Sequence, residues 1–119
     1  MEGVKNNNNK IQMSKLFTQF PDALKAVMLA STFGHIKYEE FDEDWLNYQR
    51  VVGKDMYVDA MNRHQCLQYP EQEESKLPPK FHVAWNSLAD LQMFIDVHGV
   101  DVDELAKINI PVWKEEFKR

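Results

Sequence analysis

The chain has 119 residues and a formal net charge of −5, and 44% of its residues are hydrophobic, 12% aromatic and 28% charged. This length suits one domain with one core, and the negative charge argues against general nucleic-acid binding, which needs basic surface. A single cysteine, Cys66, excludes an internal disulfide, and no apolar run approaches the roughly 20 residues of a membrane span. We therefore predict a cytoplasmic protein.

The N-terminal residues have little to bury. Asn6–Asn9 form an asparagine run between Lys5 and Lys10, and such a polar composition is typical of a tail. We predict that residues 1–15 form a disordered or loosely docked tail and that residues 16–119 form a single helical domain.

The first predicted long helix begins at Pro21, where a missing N–H costs nothing, and Asp22 faces the positive end of the helix dipole. Apolar and small residues recur on one side of this helix, and this pattern extends the predicted helix at least to Ser31. Two endings remain open, because the helix either stops at Gly34 or continues to Tyr38.

An acidic segment over residues 39–44 follows the first helix. It leads into a short helical turn near Trp45, for which either Asp42 or Asp44 would supply the cap. Gly53 then separates this turn from a second long helix.

The second long helix is predicted over residues 54–68, and the third opens at Pro78 and Pro79. In the third helix, apolar residues recur at i, i+3, i+4 and i+7 between residues 81 and 95, the clearest amphipathic pattern of the chain. Gly99 is placed to end this helix in the left-handed region.

A short last helix is predicted, with Asp101 and Glu104 as its capping box and Pro111 as its end. The predicted fold class is therefore all-α, with three main helices, a short C-terminal helix and a helical hairpin at the centre. Three helices enclose a thin core, while the chain carries three tryptophans and seven phenylalanines. We therefore also predict a homo-oligomer.

Polar residues lie beside apolar positions on the second and third helices. Asp59, Arg63 and His64 fall on the second helix, and His82 and Asn86 fall on the third. A proline-rich loop joins the two helices, so we expect them to pack as a hairpin with these polar groups facing each other. Because an unpaired charge at such a place is costly, the groups should pair with one another or hold a ligand.

Five short motifs occur in order along the chain: Phe33-Gly34-His35-Ile36-Lys37-Tyr38, Trp45, Tyr57-x-x-Ala60-x-x-Arg63-His64, Glu74-Ser75-x-Leu77-Pro78 and His82-x-Ala84-x-Asn86. Together they resemble the phage-borne family named for the N-terminal domain of dATP/dGTP diphosphohydrolases, a neighbour of the MazG-like all-α nucleotide pyrophosphohydrolases. The resemblance runs from about Phe20 to Leu91. It implies a phage or prophage protein whose domain binds purine deoxynucleotides, with cleavage between the α- and β-phosphates as the associated activity.

The chain departs from the family pattern at three places. Pro79 stands where the pattern has the first histidine of the third helix, Lys76 replaces an expected glycine, and Tyr69-Pro70 replaces an expected Gly-Glu pair. A hydrolase that needs that histidine for metal binding or proton transfer would be impaired, whereas a nucleotide pocket could survive. The resemblance therefore supports binding better than turnover.

The resemblance and the residue chemistry together give a predicted site with three kinds of residue. The predicted catalytic residues are His64 and Asp59. The predicted ligands of a metal, with Mg²⁺ or Mn²⁺ as the candidates, are His64, His82 and Glu74. The predicted substrate-binding residues are Lys37, Tyr38, Trp45, Arg63, His82 and Asn86.

Simpler interpretations stand beside these roles. Asp59 and Arg63, four residues apart, would also suit a surface ion pair, and His64 would also suit a satisfied core position. The Glu40-x-x-Glu43 pair is similar to the paired acids of MazG-type enzymes, but a solvated acidic loop explains it as well.

Three classes of function follow from the sequence. The first is a nucleotide-binding protein with weak or no turnover, for example one that sequesters a nucleotide signal of host immunity. The second is an active metal-dependent dATP/dGTP pyrophosphohydrolase. The third is a helical interaction protein without a small ligand.

Overall fold

The computed structural model describes Gly3, residues 9–50 and residues 55–118. Every regular element in these ranges is helical and no strand occurs in them, so the predicted all-α class is confirmed. The six α-helices are α1 (Ser14–Gln19), α2 (Pro21–Lys37), α3 (Asn47–Arg50), α4 (Met56–Gln65), α5 (Pro79–His98) and α6 (Val102–Glu116). Two short 3₁₀ turns, Glu39–Phe41 and Pro70–Gln72, lie in the loops.

Helix α2 begins with Pro21 in its first turn, as predicted, with Asp22 beside it. The helix passes through Gly34 and ends at Lys37, so the longer of the two predicted endings is the correct one. The extra turn matters for the site, because it extends α2 along the part of α5 that carries His82.

The segment predicted as a tail is only partly described. Residues 1–2 and 4–8 lie outside the described residues. Helix α1 begins at Ser14, inside the last two residues of the predicted tail, and it leads directly into α2.

The second predicted helix is shorter than expected at its C-terminal end. It was expected over residues 54–68, but α4 ends at Gln65 because the next two backbone N–H groups bond to carbonyls only three residues back. Asp55 has a left-handed φ of 59°, and α4 starts directly after it. The predicted separator Gly53 and the predicted first residue Lys54 lie outside the described residues.

The predicted bounds of the third helix agree with the structure. Helix α5 has Pro79 in its first turn, where no backbone N–H is needed. Gly99 follows the helix with φ of 61°, a conformation that favours glycine, and its N–H donates to the Ile95 carbonyl.

The prediction of a short last helix stopped by Pro111 is wrong. Helix α6 has 15 residues and Pro111 lies inside it. A proline there removes the hydrogen bond to the Lys107 carbonyl, but both residues are exposed, so water can replace the lost donor. At the start of α6 the Asp101 Oδ1 accepts a hydrogen bond of 3.0 Å from the Glu104 N–H, as the predicted cap requires.

Helix α5 is the centre of the fold, because both α2 and α4 pack on it. Along α4 and α5 the ring of Tyr57 lies near that of Trp85 and the ring of His64 lies near that of His82. The two helices therefore run antiparallel, and the predicted central hairpin is confirmed.

The apolar core is thin. Among the described residues, the buried apolar side chains are those of three alanines and Pro79. Larger side chains meet in an aromatic cluster of Tyr48, Tyr57 and Trp85, with ring centroids 5.9 to 6.3 Å apart. Burial raises the pKa of Tyr57 to about 12, so its hydroxyl stays protonated and donates to the Tyr48 carbonyl. Within the described ranges, no helix has the length and apolar character that a membrane span requires.

Candidate functional site

A pocket of about 470 Å³ lies between α2, α4 and α5, within the size range of small-molecule sites. Its walls include eight of the residues singled out in the sequence: Lys37, Tyr38, Trp45, Arg63, His64, Glu74, His82 and Asn86. These residues come from all five motifs of the sequence. Asp59, the other residue predicted to be catalytic, is exposed on α4 and does not line the pocket.

Two histidines form the inner wall of the pocket. The rings of His64 and His82 stack with their centroids 4.7 Å apart and an interplanar angle of 16°, which confirms that the two residues face each other. The His64 Nδ1 lies 2.6 Å from the Glu73 carboxylate, and this carboxylate is only 5% exposed. On the other side, the His82 Nε2 forms a 2.5 Å hydrogen bond with the Ser75 hydroxyl. The loop before α5 therefore fixes both rings.

His82 is held in a poorly solvated place. It is 8% exposed, and the edge of the Phe33 ring packs against it. Burial lowers the pKa of His82 below its ordinary value, and the neighbouring His64 lowers it further, while Glu73 acts in the opposite direction. One turn along α5, the Asn86 side-chain amide donates a 2.8 Å hydrogen bond to the His82 backbone carbonyl.

A second cluster lies at the outer part of the pocket. The His35 Nδ1 lies 2.9 Å from one oxygen of Asp42, and the other oxygen accepts a 2.8 Å hydrogen bond from the Asn47 N–H. The His35 ring stacks on Trp45, with centroids 3.7 Å apart and the planes 5° apart. One face of the indole is therefore covered, and Trp45 still contributes to the pocket wall.

Charged side chains stand at the mouth of the pocket. The Lys37 ammonium lies 2.6 Å from the Glu74 carboxylate, and this hydrogen bond raises the pKa of Lys37. Arg63 lines the pocket as well. In the part of the chain that the structure describes, no salt bridge joins Arg63 to Asp59, so the surface-pair interpretation gains no support.

The three predicted metal ligands do not fit a common metal centre in this arrangement. Glu74 is bound to Lys37. The His64 Nδ1 faces Glu73 and the His82 Nε2 faces Ser75. Across the described residues, no group of three or more histidine, cysteine or acidic side chains is placed to hold a metal ion.

The sequence analysis missed four residues of the site: His35, Asp42, Glu73 and Ser75. Glu73 and Ser75 belong to the loop between α4 and α5, where residues follow no helical period that would tell an inward side chain from an outward one. His35 and Ser75 each lie inside one of the five motifs, and this position was the signal that could have found them. Glu40 and Glu43 are exposed and do not line the pocket, as a solvated acidic loop requires.

The lowered pKa of His82 predicts a specific pH dependence of stability. Below the ordinary histidine pKa of about 6.5 the unfolded chain takes up a proton more readily than the folded chain does. The free energy of unfolding should therefore fall as the pH is lowered through this value. Denaturant titrations between about pH 7.5 and pH 5 should show a smaller fall for His82→Gln than for the wild type. Exposed His98 provides the control, since His98→Gln should keep the wild-type slope; equal slopes for all three chains would contradict the prediction.

Comparison with protein-family models matches residues 1–103 to the model described as dATP/dGTP diphosphohydrolase, N-terminal. The matched range contains every residue that lines the pocket. No curated protein and no solved structure matches the chain. The chain thus belongs to the dATP/dGTP diphosphohydrolase N-terminal family, the family that its motifs resemble.

Proposed function

We propose that this chain binds a purine deoxynucleotide in the pocket between α2, α4 and α5, with weak or no turnover. The observation that carries the proposal is the joint position of the family's motif residues, which line one pocket of suitable volume. Family membership supplies the class of ligand, since the family model is named for enzymes that act on dATP and dGTP.

The cations at the mouth of the pocket, Arg63 and Lys37, would bind the phosphates. Arg63 offers a planar fork of five donors, which suits phosphate oxygens. Lys37 is charged and bound to Glu74, so it would exchange this carboxylate for a phosphate when a nucleotide enters. The stacked pair of His35 and Trp45 provides a flat aromatic surface near the same mouth for the base.

Weak turnover follows from the start of α5. Pro79 stands at the position where the family pattern has a histidine, and its ring offers neither a lone pair nor a proton. Binding does not depend on that side chain, because Arg63, Trp45 and Asn86 come from other turns. A phage protein of this kind could hold a nucleotide signal of host immunity without cutting it.

An active metal-dependent pyrophosphohydrolase is the second candidate, and one observation favours it. Each histidine is hydrogen-bonded to a loop residue, His64 to Glu73 and His82 to Ser75, and each pair could hold or move a proton at the inner wall of the pocket. The metal that such an enzyme uses would have to recruit ligands in an arrangement different from the one described.

Product analysis after incubation with nucleotide distinguishes the two candidates. The protein is mixed with dATP or dGTP and Mg²⁺ or Mn²⁺, and monophosphate and pyrophosphate are measured by chromatography while calorimetry measures binding. We expect binding with little or no product. Efficient hydrolysis that His64→Ala abolishes and His98→Ala preserves would establish the enzyme, and absence of binding to either nucleotide would contradict the proposal.

A further inference from the structure

Helix α6 presents an apolar face that the described chain leaves uncovered. Leu105, Ile108 and Val112 recur at i, i+3 and i+7, so they share one side of the helix. Each is about half exposed, at 49%, 56% and 56%. The close helix packing in the fold involves α1, α2, α4 and α5, and α6 makes at most marginal contact with them. Nearly all of α6 also lies beyond residue 103, where the family match ends.

A groove of about 820 Å³ runs between α2 and α5. Its walls are mainly apolar, and they include Leu24, Met28, Leu88, Leu91 and Ile95. Trp85 lines both this groove and the nucleotide pocket. An apolar groove of this size is costly to leave in water, and an amphipathic helix is a common occupant of such a groove.

We propose that the apolar face of α6 docks into the α2–α5 groove of a second copy of this chain, and that the exchange is reciprocal. One chain carries both an uncovered apolar ridge and an uncovered apolar groove. A twofold dimer covers both surfaces of both copies, because each contact is made twice by the symmetry.

The accessible area of the chain agrees with this assembly. It is 9898 Å², whereas a compact protein of 14.1 kDa exposes about 6,700 Å². An allowance of about 2,000 Å² for the residues outside the described ranges leaves an excess of about 1,200 Å². A stable interface covers about 800 Å² or more on each partner, so the excess is of the size that a dimer would bury.

The charges beside the two surfaces are complementary. Lys25 is part of the groove wall. Glu115 and Glu116 are exposed in the last turn of α6, and they flank the side of the helix that carries Val112. A docked α6 with its last turn near Lys25 would therefore bring carboxylates to this lysine, which favours this orientation over its reverse.

Sedimentation of the full chain tests the proposal. The wild type should sediment at twice the 14.1 kDa of one chain. Leu105→Glu should weaken self-association by roughly 100-fold, because a carboxylate would enter an apolar groove. Leu91→Glu, on the groove wall, should do the same, while Lys107→Glu on the polar side of α6 is the matched control and should associate as the wild type does. Circular dichroism checks the helix content of each variant.

A monomeric wild type would overturn the proposal, and so would a folded Leu105→Glu or Leu91→Glu chain that associates like the wild type. Neither result involves a nucleotide, so dimerisation can fail while the proposed function stands.

Cross-linking tests which surfaces meet. In a Cys66→Ser background, one chain carries Leu91→Cys and another carries Ile108→Cys. Mixing them under mild oxidation should give a disulfide-linked heterodimer, because the two positions come together only between copies, and each chain alone should cross-link poorly. A chain with both substitutions that closes its disulfide internally as a monomer would place α6 on its own groove and overturn the proposal.

Discussion

Replacing Arg63 with alanine is expected to weaken dATP or dGTP binding by about 1.5–3 kcal/mol, which corresponds to roughly 10- to 150-fold in Kd. The reason is that Arg63 lines the mouth of the pocket, where its guanidinium can form charge-assisted hydrogen bonds to phosphate. Stability should change little, because Arg63 is exposed and no salt bridge to Asp59 is lost within the described residues.

Calorimetry measures the affinity of this variant, and Lys80→Ala is its control. Lys80 is an exposed cation on α5 that does not line the pocket, so its removal tests for a general charge effect. Arg63→Lys should recover only part of the affinity, since a lysine keeps the charge but loses the planar fork. Unchanged affinity in Arg63→Ala with intact helicity would assign Arg63 to the surface and remove it from the site.

Replacing Glu73 with alanine is expected to lower the free energy of unfolding by about 2–3 kcal/mol. The carboxylate is almost fully buried and contacts the His64 ring at 2.6 Å, so its loss leaves a partly buried imidazole without its partner. Denaturant unfolding measures the change. Glu71→Ala is the matched control, because Glu71 belongs to the same loop but has an exposed side chain, and it should lose under about 0.5 kcal/mol. Equal losses for the two variants would show that the Glu73 contact contributes nothing specific.

The central hairpin could be predicted because its residues obey local rules. Helix α5 has prolines before it, a helical apolar period within it and Gly99 after it, and each signal acts over a few residues. The meeting of His64 and His82 followed from the two helical periods and the loop between them. Features of this kind depend on short stretches of chain, so a single sequence contains them.

The ends of α4 and α6 depend on more than local preference. Pro111 ends a helix when its surroundings cannot replace the lost hydrogen bond, and an exposed α6 permits that replacement. The end of α4 at Gln65 is set by tighter backbone bonds in its last turn. Neither condition is visible in a pattern of apolar residues.

The loop residues of the site could not be predicted for a related reason. Glu73 and Ser75 reach the histidines only because the 3₁₀ turn Pro70–Gln72 and the start of α5 orient the segment between them. The sequence offered three glutamates in this loop without a period to choose among them. Tertiary packing makes the choice, and it buries Glu73 while Glu74 stays at the mouth with Lys37.

Binding of a purine deoxynucleotide in the pocket is tested most directly by following the ring signals of the four histidines by NMR while dATP or dGTP is added. His35, His64 and His82 line the pocket, whereas His98 lies outside it, and His→Gln variants assign each signal. We expect the three pocket histidines to shift together along one saturable binding curve while His98 stays in place. Signals that all remain unchanged at high nucleotide concentration, or a shift confined to His98, would contradict nucleotide binding at this site.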